Sequence, residues 1–268
     1  MNMTLYKQMM KVNLKGFMNY SLGSAFYILL MFWLYPGIAQ NAKAIDSVVQ
    51  SMPEGIGRAF GLNGFGTAEA FISGEYYGLI LVLILSIVCV QLSTQLMAKL
   101  VDQGSMAYLL SSPTTRVKIA LTQALVMTTG LFLIIAITTV AGLAGNAWFL
   151  EGFEFDTTSF IQMNISAFLL FFAVGGITFL ISSLANDEKK ALGIAGFITF
   201  GFFSLDLIGK LSTKLDWMKS ITLFTLYKPG DIINGKADLL TSYTVLLAIG
   251  LVSIALAIIL FRKRDLPL

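Results

Sequence analysis

The chain has 268 residues, a formal net charge of +3, 12% charged residues and a mean hydropathy of +0.80. Soluble domains carry about 25% charged residues, so this sequence lacks the polar surface to cover itself in water and leaves no room for a soluble catalytic domain. A single cysteine, Cys89, excludes a disulfide framework. The absence of histidine removes Ser–His and Cys–His nucleophiles, HExxH metal sites and the commonest metal ligand.

A membrane helix needs about 20 mostly apolar residues to cross a hydrocarbon core of about 30 Å. The charges cluster, and the intervals between them predict an all-α integral membrane protein with six transmembrane helices. In chain order, residues 1–18 are expected to form an amphipathic helix lying on the membrane surface. Met3, Tyr6, Met10, Leu14 and Phe17 make its apolar stripe, with Lys7, Lys11 and Lys15 alongside to meet anionic headgroups. The first span is expected at about 20–40, within the charge-free run Gly16–Ala42. It is longer than a signal-peptide core and five similar segments follow, so it is read as retained.

Asn41–Glu75 is expected outside, broken into turns by Pro53 and the glycines at 55, 57, 61, 64, 66 and 74. The second span follows at about 76–98, with Cys89 as a small buried apolar residue within it. Lys99–Lys118 is the longest inner loop. Asp102–Leu110 is expected to form a short helix stopped by Ser111-Ser112-Pro113, with Ser112 and Pro113 then opening the third span at about 119–145.

Asn146–Asp156 is a short acidic outer loop, the fourth span covers about 160–185, and Asn186–Lys190 is a tight inner turn. The fifth span reaches spanning length, about 191–209, only by carrying Asp206 near its end, where a solvated position is expected. Residues 206–238 are too apolar around Ile221–Tyr227 for an ordinary loop, and are expected to dip into the outer leaflet or pack on the bundle. The sixth span is expected at about 240–261. The small residues Ala173, Gly175, Gly176, Gly193, Ala195 and Gly196 permit close helix approach.

Orientation follows from the basic residues. The N-terminus, 99–118, 187–190 and the C-terminus carry eleven Lys or Arg and four Asp or Glu, whereas the opposite side carries seven and eleven. The positive side, with both termini, is expected in the cytoplasm.

Gly230 through Gly235-Lys236 matches GxxxxGK, but Ala237 stands where a magnesium-ligating Ser or Thr belongs, so no nucleotide site is read there. No cofactor or metal is expected on this chain, and nothing points to nucleic acid.

The run Asp102-Gln-Gly104-Ser105-Met-Ala-Tyr-Leu109-Leu110-Ser-Ser-Pro113-Thr-Thr-Arg116 resembles the cytoplasmic segment of ABC-transporter permeases of the type-2 exporter class. There an acidic stretch, Gly-Thr or Gly-Ser, a Leu-Leu pair, Ser-Pro and Arg follow the second span in this order. Met52-Pro53-Glu54 through Phe60-Gly61-Leu62 resembles that family's first outer loop. Leu226-Tyr-Lys-Pro-Gly-Asp231 through Arg264-Asp265 resembles its C-terminal end. Only Asp102 stands where the family often has several acids, and Ser105 replaces the commoner Thr.

The resemblance implies a plasma-membrane permease that pairs with a second, identical or different, permease chain and docks two separate ATPase subunits, which hold the ATP and magnesium. Lys7, Lys11, Asp102, Gly104, Ser105, Leu109, Leu110, Pro113 and Arg116 are then the expected coupling surface, with Leu109 and Leu110 as apolar knobs. Phe168, Phe172, Phe200 and Asp206 are candidates for a substrate path. The alternatives are a membrane sensor or scaffold, and an ion-coupled transporter using Asp206.

Overall fold

A computed structural model describes residues 1–51 and 66–265, except the side chains of Lys43, Asp46, Gln50 and Thr213. The turns expected around Pro53 and the outer-loop resemblance at Met52–Leu62 lie outside the described residues. Within them, six helices are long and apolar enough to cross a membrane: Met3–Gln40, Ala68–Asp102, Arg116–Phe149, Thr157–Leu184, Glu188–Leu211 and Leu239–Lys263. No strand occurs among the described residues. The chain is an all-α integral membrane protein.

Each span starts behind a side chain that accepts a hydrogen bond from its own first-turn amides: Asn2, Thr67, Thr115, Asp156, Asp187 and Asp238. The hydrogen bonds from Ser159 and Thr241 hold the carboxyls of Asp156 and Asp238 below the usual carboxylate range. The third span begins three residues later than Ser112-Pro113 suggests, behind Thr115. The Ser112 hydroxyl donates backwards to the Leu109 carbonyl at 2.6 Å and does not cap forwards.

The surface helix expected at residues 1–18 is not a separate element. It runs into the first span as one helix of 38 residues, about 57 Å long at 1.5 Å per residue and nearly twice the hydrocarbon thickness. Its contacts with the third span reveal a change of direction. Phe17 packs on Gly130, Ser24 bonds to Thr138, and Phe32 packs on Gly145, a steady parallel register. Tyr6, however, reaches Thr129 at 2.9 Å, and the Asn2 amide reaches Thr122. Tyr6 and Phe17 thus meet adjacent residues of the third span, so the first turns run oblique to it. The packed stripe is also shifted: Leu5, Tyr6, Met9, Met10 and Phe17 face the bundle, while Met3 and Leu14 are 52% and 47% exposed.

The second span contains an eight-residue π-helical stretch, Ser73–Ile80, an unusual length for that form. Here Tyr76 and Tyr77 are both fully buried with rings 5.0 Å apart, edge to face. The Tyr76 hydroxyl bonds to Ser24, whose hydroxyl also lies 2.6 Å from Thr138, so three spans meet at one polar node. At the outer end the buried Glu69 carboxylate accepts the Asp156 amide and ties the second span to the fourth.

The fourth span is the most enclosed. It packs on the sixth through Gly176 and Gly250. It meets the second through side chain to backbone bonds: Cys89 to the Phe171 carbonyl, Thr178 to the Cys89 carbonyl and Ser182 to the Ser93 carbonyl. Between the fifth and sixth spans the chain forms short 3-10 turns, Thr213–Ile221 and Leu223–Leu226, and a helix Pro229–Ile233. Phe224, Tyr227 and Ile232 are buried, and the Phe224 ring meets Phe203 edge to face at 5.6 Å. This segment packs on the bundle.

Candidate functional site

The second span breaks at Met97 (φ −126°, ψ −73°) and continues as Ala98–Asp102. Gly104 then takes φ +70°, a left-handed conformation that glycine adopts without strain, and turns the chain into the helix Ser105–Ser111. That helix starts at Ser105, later than the expected Asp102. Met106 anchors it with no exposed surface, and Leu109 and Leu110 are half-buried against the core. The side chain presented outwards is Tyr108, 81% exposed. The Ser111 and Ser112 hydroxyls bond back to the Tyr108 and Leu109 carbonyls, and exposed Pro113 ends the helix.

The charged residues around this elbow divide into tethered and free. Asp102 accepts the Glu188 amide at 3.2 Å, and Lys99 pairs with the Glu188 carboxylate at 3.3 Å, joining the elbow to the start of the fifth span. The Arg116 guanidinium donates to the Arg264 carbonyl. Arg264 in turn donates to the carbonyls of Ser183 and Ala185 and to the Asn186 side chain, closing the end of the fourth span. Burial, then the neighbouring Arg116, lowers the Arg264 pKa from its usual value. Lys7, Lys11 and Lys15 remain exposed on the side of the first helix turned away from the third span, and the Asn2–Thr114 bond holds its start beside the elbow.

The four expected path residues do not form one lining. Phe168 stacks on Phe172 at 6.2 Å and meets Phe132 edge to face, beside a mostly apolar groove of about 400 Å³ between the third and fourth spans, in which Thr139 and Asn164 are the polar lining residues. Phe172 itself is buried against Gly250 as helix packing. Phe200 and Asp206 lie on the fifth span, and no ring contact joins Phe200 to the others among the described residues. Asp206 corrects an expectation. It is 2% exposed, not solvated, and pairs with Lys210 one turn on at 2.6 Å, its second oxygen unpartnered. The 3-10 turns that fold back over the fifth span's end account for this cover.

Composition alone left one polar feature unread. Asn13, Asn19, Tyr20, Gln91 and Gln95 line a groove of about 400 Å³ between the first and second spans, where the Tyr20 hydroxyl donates to Gln91 at 2.7 Å. Two glutamines four residues apart in an apolar span were the available signal. The outward face of the fifth span is likewise uncovered: Gly193 and Gly196 have no neighbour within 4 Å of an added Cβ, and Phe197 is 81% exposed.

Among the described residues no three Asp, Glu or Cys side chains gather into a metal site. The GxxxxGK stretch folds as the helix Pro229–Ile233 and a turn at Gly235, without the strand–loop–helix of a phosphate cradle.

A family model described as an ABC-2 family transporter protein matches residues 7–266. No curated protein matches the chain.

Proposed function

The chain belongs to the ABC-2 transporter family and is a multi-pass transporter membrane domain; from that premise we propose that it is the permease half of an ATP-driven exporter whose ATPases are separate subunits. The observation that carries this reading is the elbow: a short helix, anchored by Met106, that presents Tyr108 from the end of the bundle rich in basic residues. That end faces the cytoplasm by the positive-inside rule. An ATPase subunit grips the elbow at Tyr108, with the half-buried Leu109 and Leu110 as its apolar floor, Gly104 and Ser105 setting its angle and Pro113 ending it. The oblique start of the first helix, with Lys7 and Lys11 free, forms the other side of the docking surface. Asp102 and Arg116 serve by holding the elbow to the bundle, since both are engaged internally.

A second permease chain, identical or different, covers the outward face of the fifth span around Gly193, Gly196 and Phe197 and the exposed Gln91 and Gln95 of the second span. Uncovered amides at bilayer depth are costly, which favours a partner over lipid there. The export path then runs between the two permeases in the plasma membrane, and closure of the ATPases moves the spans as rigid bodies.

Purification in mild detergent with mass spectrometry of co-purifying proteins tests this. A stoichiometric soluble subunit carrying GxxxxGK followed by Ser or Thr is expected. Absence of any such subunit, even after crosslinking through the elbow, contradicts the reading.

A further inference from the structure

The break at Met97 is spliced by a residue of another span. In a continuous helix the Ala98 amide donates to the carbonyl four residues back. Here it donates to the Ser182 hydroxyl of the fourth span at 3.1 Å, and the same hydroxyl donates to the Ser93 carbonyl at 2.8 Å. Ser182 is 1% exposed, so water does not compete for either bond. A foreign side chain inserted into the main-chain ladder is a recognised cause of a helix kink. Two and five residues after Met97 the elbow is held again, by Lys99 and Asp102 on Glu188, the first residue of the fifth-span helix.

We propose that Ser182 is the positioning residue of the elbow: it pins the hinge at Met97 to the fourth span, while Lys99 and Asp102 latch the elbow to the fifth. A displacement delivered at Tyr108 therefore moves the cytoplasmic ends of the fourth and fifth spans together with the elbow. The mechanical consequence rests on the elbow being the site where ATPase movement enters; the pin and latch themselves do not.

The test separates the two. Nitroxide labels at Tyr108 and Lys189, both exposed, report the elbow-to-fifth-span distance in full-length protein in nanodiscs, with buried Cys89 left unlabelled. Without nucleotide, the wild-type protein is expected to give one narrow distance distribution. Ser182→Ala broadens it about twofold or more, and Ser182→Thr, which keeps a hydroxyl, restores it. Asp102→Ala, remote from the buried hinge, serves as the second variant and broadens it too, whereas Asp102→Asn, which keeps an acceptor oxygen, does not. A distribution as narrow as wild type in both Ser182→Ala and Asp102→Ala overturns the proposal. Repeating the measurement with co-purified ATPases and a non-hydrolysable ATP analogue, with the elbow label moved to exposed Ser111 so that Tyr108 stays free and a third label on the sixth span, addresses the coupling reading: the Ser111–Lys189 distance stays constant while both labels shift relative to the sixth span. No shift there, with the pin intact, refutes the coupling reading alone.

Discussion

Gly176 of the fourth span and Gly250 of the sixth lie so close that a Cβ on Gly176 would meet the Gly250 carbonyl oxygen at 2.9 Å. The obstacle is backbone, which cannot rotate away. Gly176→Ala is expected to lower stability by about 1–3 kcal/mol, the usual cost of overpacking, whereas Gly193→Ala and Gly196→Ala, with open space around them, leave the single chain unaffected. Cys89 supplies the measurement: it is the one thiol and is fully buried, so the temperature at which a thiol-reactive dye labels it reports opening of the bundle.

Adjacent tyrosines of the π-helical stretch should respond in opposite ways. Tyr76 bonds to Ser24, while the Tyr77 hydroxyl faces Asn164 without closing a hydrogen bond. Removing the Tyr76 bond costs roughly 0.5–1.5 kcal/mol net, since Ser24 keeps Thr138 as a partner. Tyr76→Phe is therefore expected to lower the dye-labelling temperature, and Tyr77→Phe to leave it unchanged or raise it. Equal losses at both positions would contradict this assignment of the two hydroxyls.

The pairing of buried Asp206 with partly exposed Lys210 predicts a non-additive double mutant. Lys210→Met leaves a buried carboxylate without its cation and is expected to cost about 1–3 kcal/mol, less than for a fully enclosed pair because the Lys210 side chain is 31% exposed. Adding Asp206→Leu removes the stranded charge and recovers most of that loss. A double variant no better than Lys210→Met alone counts against the pair as drawn.

Asp156 caps the fourth span with a lowered pKa. The sign follows directly: a carboxyl whose folded pKa is depressed contributes stability above its unfolded value, about 3.9, and loses it as pH falls through the folded value. Asp156→Asn keeps a capping oxygen but no titration, so it should flatten that acid-side decline. Asp156→Ala should cost about 1 kcal/mol at neutral pH.

The six spans were legible because charge is excluded from hydrocarbon, and even the short fifth span was found by allowing it to carry Asp206. What the sequence could not reveal was pairing over distance. Nothing local shows that Ser182 meets Ala98, that Arg116 meets Arg264, or that Asp206 is covered by the turns after it. Periodicity was also too coarse at the elbow. A helix of seven residues has barely two turns, so the choice between Leu109-Leu110 and Tyr108 as the outward knob depended on how Met106 is seated. Likewise, a lysine-lined stripe reads the same for a separate surface helix and for the oblique start of a long one. Ser112 looked like a forward cap because its backward bond to Leu109 is set by the elbow's own closure.

The proposed export function requires an ATPase that grips this chain at Tyr108. A photo-activatable benzophenone side chain introduced at position 108, irradiated in native membranes, tests it most directly. A crosslink to a soluble subunit carrying GxxxxGK followed by Ser or Thr is expected, absent when the group is placed at Phe197. Crosslinks from position 108 to lipid alone would contradict it.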